Sequence, residues 1–126
     1  MGLFTKKNTS NGLKKWLEEV DSVYTAAFET LNVSELSKYT TREFAMEVFE
    51  DVRRNKKVYS GLGKYRHVSW KKQSENDKAI YVIKEVKHDH IKVTRGIVAA
   101  VGVDYKEQWT LLKNGNVFIL SDIRRL

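Results

Sequence analysis

Asn114-Gly115 stands between two apolar, β-branched and aromatic runs, and this arrangement constrains the fold more than any other feature of the chain. Tyr105-Lys106-Glu107-Gln108-Trp109-Thr110-Leu111-Leu112-Lys113 precedes it, and Asn116-Val117-Phe118-Ile119-Leu120-Ser121-Asp122-Ile123 follows. Asn-Gly supplies two residues that tolerate positive φ, so the spacing predicts a hairpin closed by a type I′ turn. The end of the fold is thereby expected to be an antiparallel ribbon.

The first half of the chain reads as helix. Leu13, Trp16, Leu17, Val20, Tyr24, Ala27, Phe28 and Leu31 recur at three- and four-residue spacing and form one apolar stripe. By helical count Asp21 lies roughly 80° from the stripe's centre, at its margin, where it can line a cavity or pair with a lysine. Residues 1–10 are polar and basic and are expected to form a flexible lead-in, with Ser10 or Asn11 capping the helix and residues 11–126 forming one domain. Asn32-Val33-Ser34 interrupts the helix, and Ser34 opens a short helical turn through Tyr39. Thr40-Thr41-Arg42-Glu43 reads as a capping box, Thr40 with Glu43, ahead of a helix that buries Phe44, Ala45, Val48, Phe49 and Val52. Arg53, Arg54, Lys56 and Lys57 suit the negative end of its dipole.

Ser60-Gly61-Leu62-Gly63 marks the passage from helix to sheet. Strands are predicted over 65–73 and 78–88, joined by the polar turn Gln73-Ser74-Glu75-Asn76-Asp77. Residues 91–103 fit either a bulged strand or an apolar loop. Helices first and sheet last define an α+β domain: three N-terminal helices packed in a strongly curved antiparallel sheet of four to six strands.

Composition narrows the classes of function. Hydrophobic residues make up 41% and charged residues 31%, as in folded globular chains. With no cysteine, thiol catalysis, disulfides and cysteine metal sites are excluded, and a cytoplasmic location is the default. Twenty-three Lys and Arg against sixteen Asp and Glu leave a net charge of +7. The basic residues fall in scattered pairs and never form the block of about 5–8 that marks nucleic-acid binding, so no specific nucleic-acid partner is expected. No transmembrane segment is expected, because no run approaches the ~20 apolar residues that a spanning helix needs.

The helix order, the Leu36-Ser37-Lys38-Tyr39-Thr40-Thr41-Arg42-Glu43-Phe44 junction and the strand and hairpin from Gln108 to Ile123 resemble the nuclear transport factor 2-like superfamily. Within it the chain is most similar to the membrane-tethering domain of the mitochondrial import motor and its bacterial relatives. That resemblance implies a cone of helices enclosed by a curved sheet. It leaves function open, because such cones serve as isomerases, dehydratases, binding modules and domains of membrane assemblies.

Four constellations are candidates for chemistry or binding. His88 and His90 share a strand face, with His67 as a third ligand in a metal reading; a solvated strand end explains the same residues, and no metal or other cofactor is expected. The superfamily's isomerases and dehydratases work through acid–base groups in the cone. The groups available here are Asp21 and Tyr24 on the first helix, Tyr81 on a central strand and Asp104 opening the hairpin, with Asp21 and Tyr24 as the acid–base pair of that reading. Trp16, Tyr24, Phe28, Trp70, Tyr81 and Trp109 would line a pocket, although at this spacing such residues more often build the core. Leu3 and Phe4 beside Lys6, Lys7, Lys14 and Lys15 offer weak attachment to an anionic surface. The balance favours a non-catalytic binding or interaction module, tethering to a protein partner or acidic surface, with a possible homodimer through the sheet. The alternative is a cofactor-independent lyase or isomerase for a small apolar molecule.

Overall fold

The computed structural model describes residues 2–55, 66–88 and 104–126, with side chains described from residue 12 onward, apart from residue 55. Helix α1 spans Gly2–Thr30, helix α2 spans Arg42–Asn55, and a 3-10 turn at Leu36–Tyr39 lies between them. Strands β1 (Arg66–Glu75), β2 (Ala79–His88), β3 (Tyr105–Asn114) and β4 (Val117–Arg125) form one antiparallel sheet in the order β1-β2-β3-β4. The α+β class and an antiparallel sheet of four strands therefore match expectation. The three expected helices do not: among the described residues there are two α-helices, because Leu36–Tyr39 closes only a 3-10 turn. The expectations for 56–65, including Lys56, Lys57 and the glycine break, and for 91–103 lie outside the described residues.

Two local predictions are corrected in detail. Thr41, not Thr40, caps α2: its Oγ1 accepts a hydrogen bond from Phe44 N at 3.2 Å. Phe44 occupies the position a reciprocal Glu would need, so no capping box forms. Thr40 instead bridges to Leu120, and Thr41 N donates to Leu120 O at 2.9 Å, tying the start of α2 to β4. In the terminal hairpin Asn114 pairs with Val117, so the central turn residues are Gly115 and Asn116. Only Gly115 has positive φ, at 63°, which is the pattern of a type II′ turn with glycine first rather than type I′.

Helix α1 begins ahead of the Ser10 or Asn11 cap, inside the stretch expected as lead-in. At its other end Leu31 takes φ 58°, and Asn32 N donates to Ala27 O at 3.2 Å. This six-to-one bond is a Schellman ending, where glycine normally supplies the left-handed residue. A leucine there costs about 1–2 kcal/mol of steric strain, and its side chain is 52% exposed.

The core follows from the stripe and the strand alternation. Leu17, Val20, Tyr24, Ala27 and Phe28 of α1 pack with Phe44, Val48 and Val52 of α2 on Ile80, Val82, Trp109, Leu111 and Leu120 of the sheet. Tyr39 OH donates to Glu19 Oε1 at 3.0 Å, fastening the 3-10 turn to α1. That carboxylate retains the phenol proton and, with burial, pushes the Tyr39 pKa above its ordinary value.

Glu75 at the end of β1 closes the far edge. It meets Lys113 of β3 and lies 2.9 Å from Lys72 Nζ. Hydrogen bonding to Lys113 first, and to Lys72 second, holds its carboxyl below the usual carboxylate range. A depressed carboxyl stabilises the fold above its unfolded pKa, and that contribution disappears as pH falls through the folded value. Glu75→Gln is therefore expected to destabilise the protein at neutral pH and to converge on the parent as the pH drops below the carboxylate range. Urea unfolding midpoints across that range measure this; a gap independent of pH would contradict it.

Candidate functional site

The strand register builds the most unusual group of side chains. Trp70 of β1 pairs with Lys84 of β2, and Lys84 pairs with Glu107 of β3, which sets the three in one row across the sheet. On β2 the buried face reads Ile80, Val82, Lys84, Val86, so a lysine occupies a position in the apolar alternation. Lys84 is 1% exposed. A cation so desolvated requires partners.

Its partners come from three elements. Lys84 Nζ donates to Asp21 Oδ1 of α1 and lies 3.6 Å from Glu107 Oε1. Arg66 Nη1 of β1 lies 3.9 Å from Asp21 Oδ2. Trp109 Nε1 donates to Glu107 Oε1 at 3.3 Å. Two cations thus face two carboxylates, and the set is formally neutral. Aromatic walls complete it: Lys84 Nζ stands 5.8 Å from the Trp70 ring centre and 5.5 Å from that of Trp109, within cation–π range. The two indoles meet edge to face with centroids 4.9 Å apart.

Asp21 fulfils both readings of its position on the stripe. It pairs with a lysine, and it also lines a cleft of about 490 Å³ with Lys14, Glu18, Val68, Ser69 and Trp70. A second cleft of about 210 Å³ adjoins along Leu13, Leu17, Lys72 and Ile80.

The other predicted residues separate. Tyr24 is buried and packs edge to face on Phe28 at 5.1 Å and Trp109 at 6.1 Å. Trp109 and Phe28 are core residues. Trp16 meets Tyr39 and Phe118 edge to face. Tyr81 falls on the sheet face opposite Ile80, Val82 and Lys84, so it does not share their side. His88 and His67 cannot combine as ligands as the metal reading required. His67 pairs with Lys87 and His88 with Arg66, which puts the two imidazoles on opposite faces. His88 is buried with Nδ1 3.4 Å from Asp104 Oδ1, and its backbone N donates to the same oxygen at 2.8 Å. His90 lies outside the described residues.

Lys84 and Glu107 escaped the sequence reading. The signal was present as a lone lysine at period two between Val82 and Val86, and as a carboxylate two residues before the buried Trp109. Comparison with known proteins finds no matching family model, no matching curated protein and no matching solved structure.

Proposed function

We propose that the chain is a non-catalytic interaction module with the cone architecture of the nuclear transport factor 2-like arrangement, working in the cytoplasm and recognising a protein partner or acidic surface. The observation that carries this reading is the engagement of Asp21 by both Lys84 and Arg66. The carboxylate that an acid–base mechanism would use is committed to joining α1 to the sheet. Tyr24, its expected partner, is wedged between Phe28 and Trp109. Around Tyr24, Phe28 and Trp109 large side chains occupy the space between α1 and the sheet, and the clefts lie toward β1, beside Asp21 and Leu13. No described helix is long and apolar enough to cross a membrane. A homodimer through the outer sheet face, which carries Tyr81, Ile83 and Leu112, belongs to the same proposal.

One observation favours a lyase or isomerase instead: the cleft of about 490 Å³ reaches Asp21 itself. The deciding experiment incubates the protein with a panel of small apolar ketones and hydroxy-carbonyl compounds and follows the mixture by NMR. No turnover is expected. Turnover that vanishes in a folded Asp21→Asn variant would replace the module by the enzyme.

A further inference from the structure

The outer face of α2 carries an apolar stripe that the core does not use. Met46 is 62% exposed and Phe49 is 49% exposed, whereas Phe44, Val48 and Val52 on the inner face are buried. Phe49 is shared by two adjoining grooves, one of about 430 Å³ reaching Val33 and Arg42 and one of about 170 Å³ reaching Leu31 and Arg53. Arg42 and Arg53 therefore stand at the two ends of the stripe, roughly 16 Å apart along the helix axis. Arg53 holds Glu50 at 3.1 Å, yet its side chain remains 65% exposed. By helical count Glu43, Glu47 and Asp51 turn roughly 90° to 170° away from this stripe.

Leu31 supplies an independent sign. It is a strained left-handed residue where glycine would relieve the backbone, and half its surface faces solvent at the end of the second groove. Strain retained for an exposed apolar side chain points to a contact made outside the fold.

We propose that this face docks an amphipathic helix of a partner protein, its apolar side laid along Met46, Phe49 and Leu31 and a carboxylate near each end meeting Arg42 and Arg53. The proposal deepens the interaction-module reading and rests on it. A second copy of this chain fits poorly. A two-fold contact with antiparallel helices centred between Met46 and Phe49 sets Arg42 against the other copy's Arg53, and a parallel one sets Arg42 against its own equivalent. Like charges meet in both cases. An anionic bilayer fits less well than a helix, because Glu50, paired with Arg53 and roughly 70° from the stripe by helical count, would meet a flat surface together with the arginines. Three arginines stand against four acidic residues on α2, a net charge of −1.

The test uses the full chain and a fluorescent peptide of about 14 residues, with leucines at three- and four-residue spacing and glutamate near both ends. A sister peptide carries lysine at those ends. Fluorescence anisotropy at low salt is expected to show the glutamate peptide binding about tenfold more tightly, with the gap closing as salt screens the charges. Arg42→Glu with Arg53→Glu should invert the preference in favour of the lysine peptide. Leu31→Gly should raise the Tm and weaken the peptide together, a combination that mere loss of packing does not give. Equal affinity for the two peptides, loss without inversion in the charge-reversed variant, a dimer abolished by Phe49→Ser in sedimentation, or Phe49-dependent binding to phosphatidylglycerol vesicles would each overturn the docking face. None of these outcomes touches the turnover assay on Asp21, so failure of the docking face and failure of the module reading are told apart.

Discussion

Lys84→Met is expected to destabilise the protein by about 3–5 kcal/mol, a large share of the roughly 5–15 kcal/mol that holds a domain together. The lysine fills its site with only 1% exposure, and its ammonium sits between two carboxylates drawn from α1 and β3. Methionine replaces the stem but not the charge. Asp21 then keeps Arg66 at 3.9 Å, and Glu107 keeps the Trp109 N–H at 3.3 Å, but the desolvated pair has lost its central cation. The cost arises from leaving charge buried without compensation, since an intact buried pair contributes little net stability. Adding Asp21→Asn to Lys84→Met removes one of the stranded charges, so the double variant should recover about 1–3 kcal/mol relative to additivity. Urea unfolding of the four species forms a closed cycle. A loss under about 1 kcal/mol for Lys84→Met would show that water reaches the ammonium after all.

Trp109→Ala should cost about 3–5 kcal/mol through the cavity alone. The residue is 0% exposed and touches three different partners: Tyr24 at 6.1 Å, Trp70 at 4.9 Å and the ammonium of Lys84 at 5.5 Å. It also donates to Glu107, and loss of a buried hydrogen bond to a charged group adds about 1.5–3 kcal/mol even with Lys84 still facing that carboxylate. Trp109→Phe keeps an aromatic ring in the core, removes the N–H together with part of the indole, and leaves a smaller cavity than alanine does. Its expected loss is about 1–3 kcal/mol, and an unchanged denaturant midpoint would mean that the Trp109–Glu107 bond is replaced by water at no cost.

These two residues also show where the sequence was legible. The α1 stripe from Leu13 to Phe28 and the β3–β4 ribbon were readable because each is a local pattern, periodic in itself; Leu31, expected at the end of that stripe, lies past the helix and is exposed. Turn and cap details shifted by one position because the deciding partner is remote or conformational. Thr40 is drawn to Leu120, far along the chain, which leaves the cap to Thr41. The turn settles on Gly115-Asn116 because the strands register Asn114 with Val117. The ionic group was legible only in halves. Asp21 stood out at the margin of its stripe, whereas Lys84 is one polar residue in a strand whose neighbours at period two are apolar. Nothing local states that a residue on α1 and one on β2 share a charge, since 63 positions separate them.

That separation has a consequence for how the molecule is assembled. The ammonium of Lys84 is neutralised by segments that lie on either side of it in the chain, with Asp21 before it and Glu107 after it. A hairpin of β1 and β2 formed early must leave Lys84 in water, because neither of its carboxylates has arrived. Only when the first helix and the third strand both close over it can that part of the sheet dry out. Burial of the lysine is thus coupled to the arrival of both segments. A partial assembly that lacked α1 or β3 would leave that ammonium without one of its two native carboxylates.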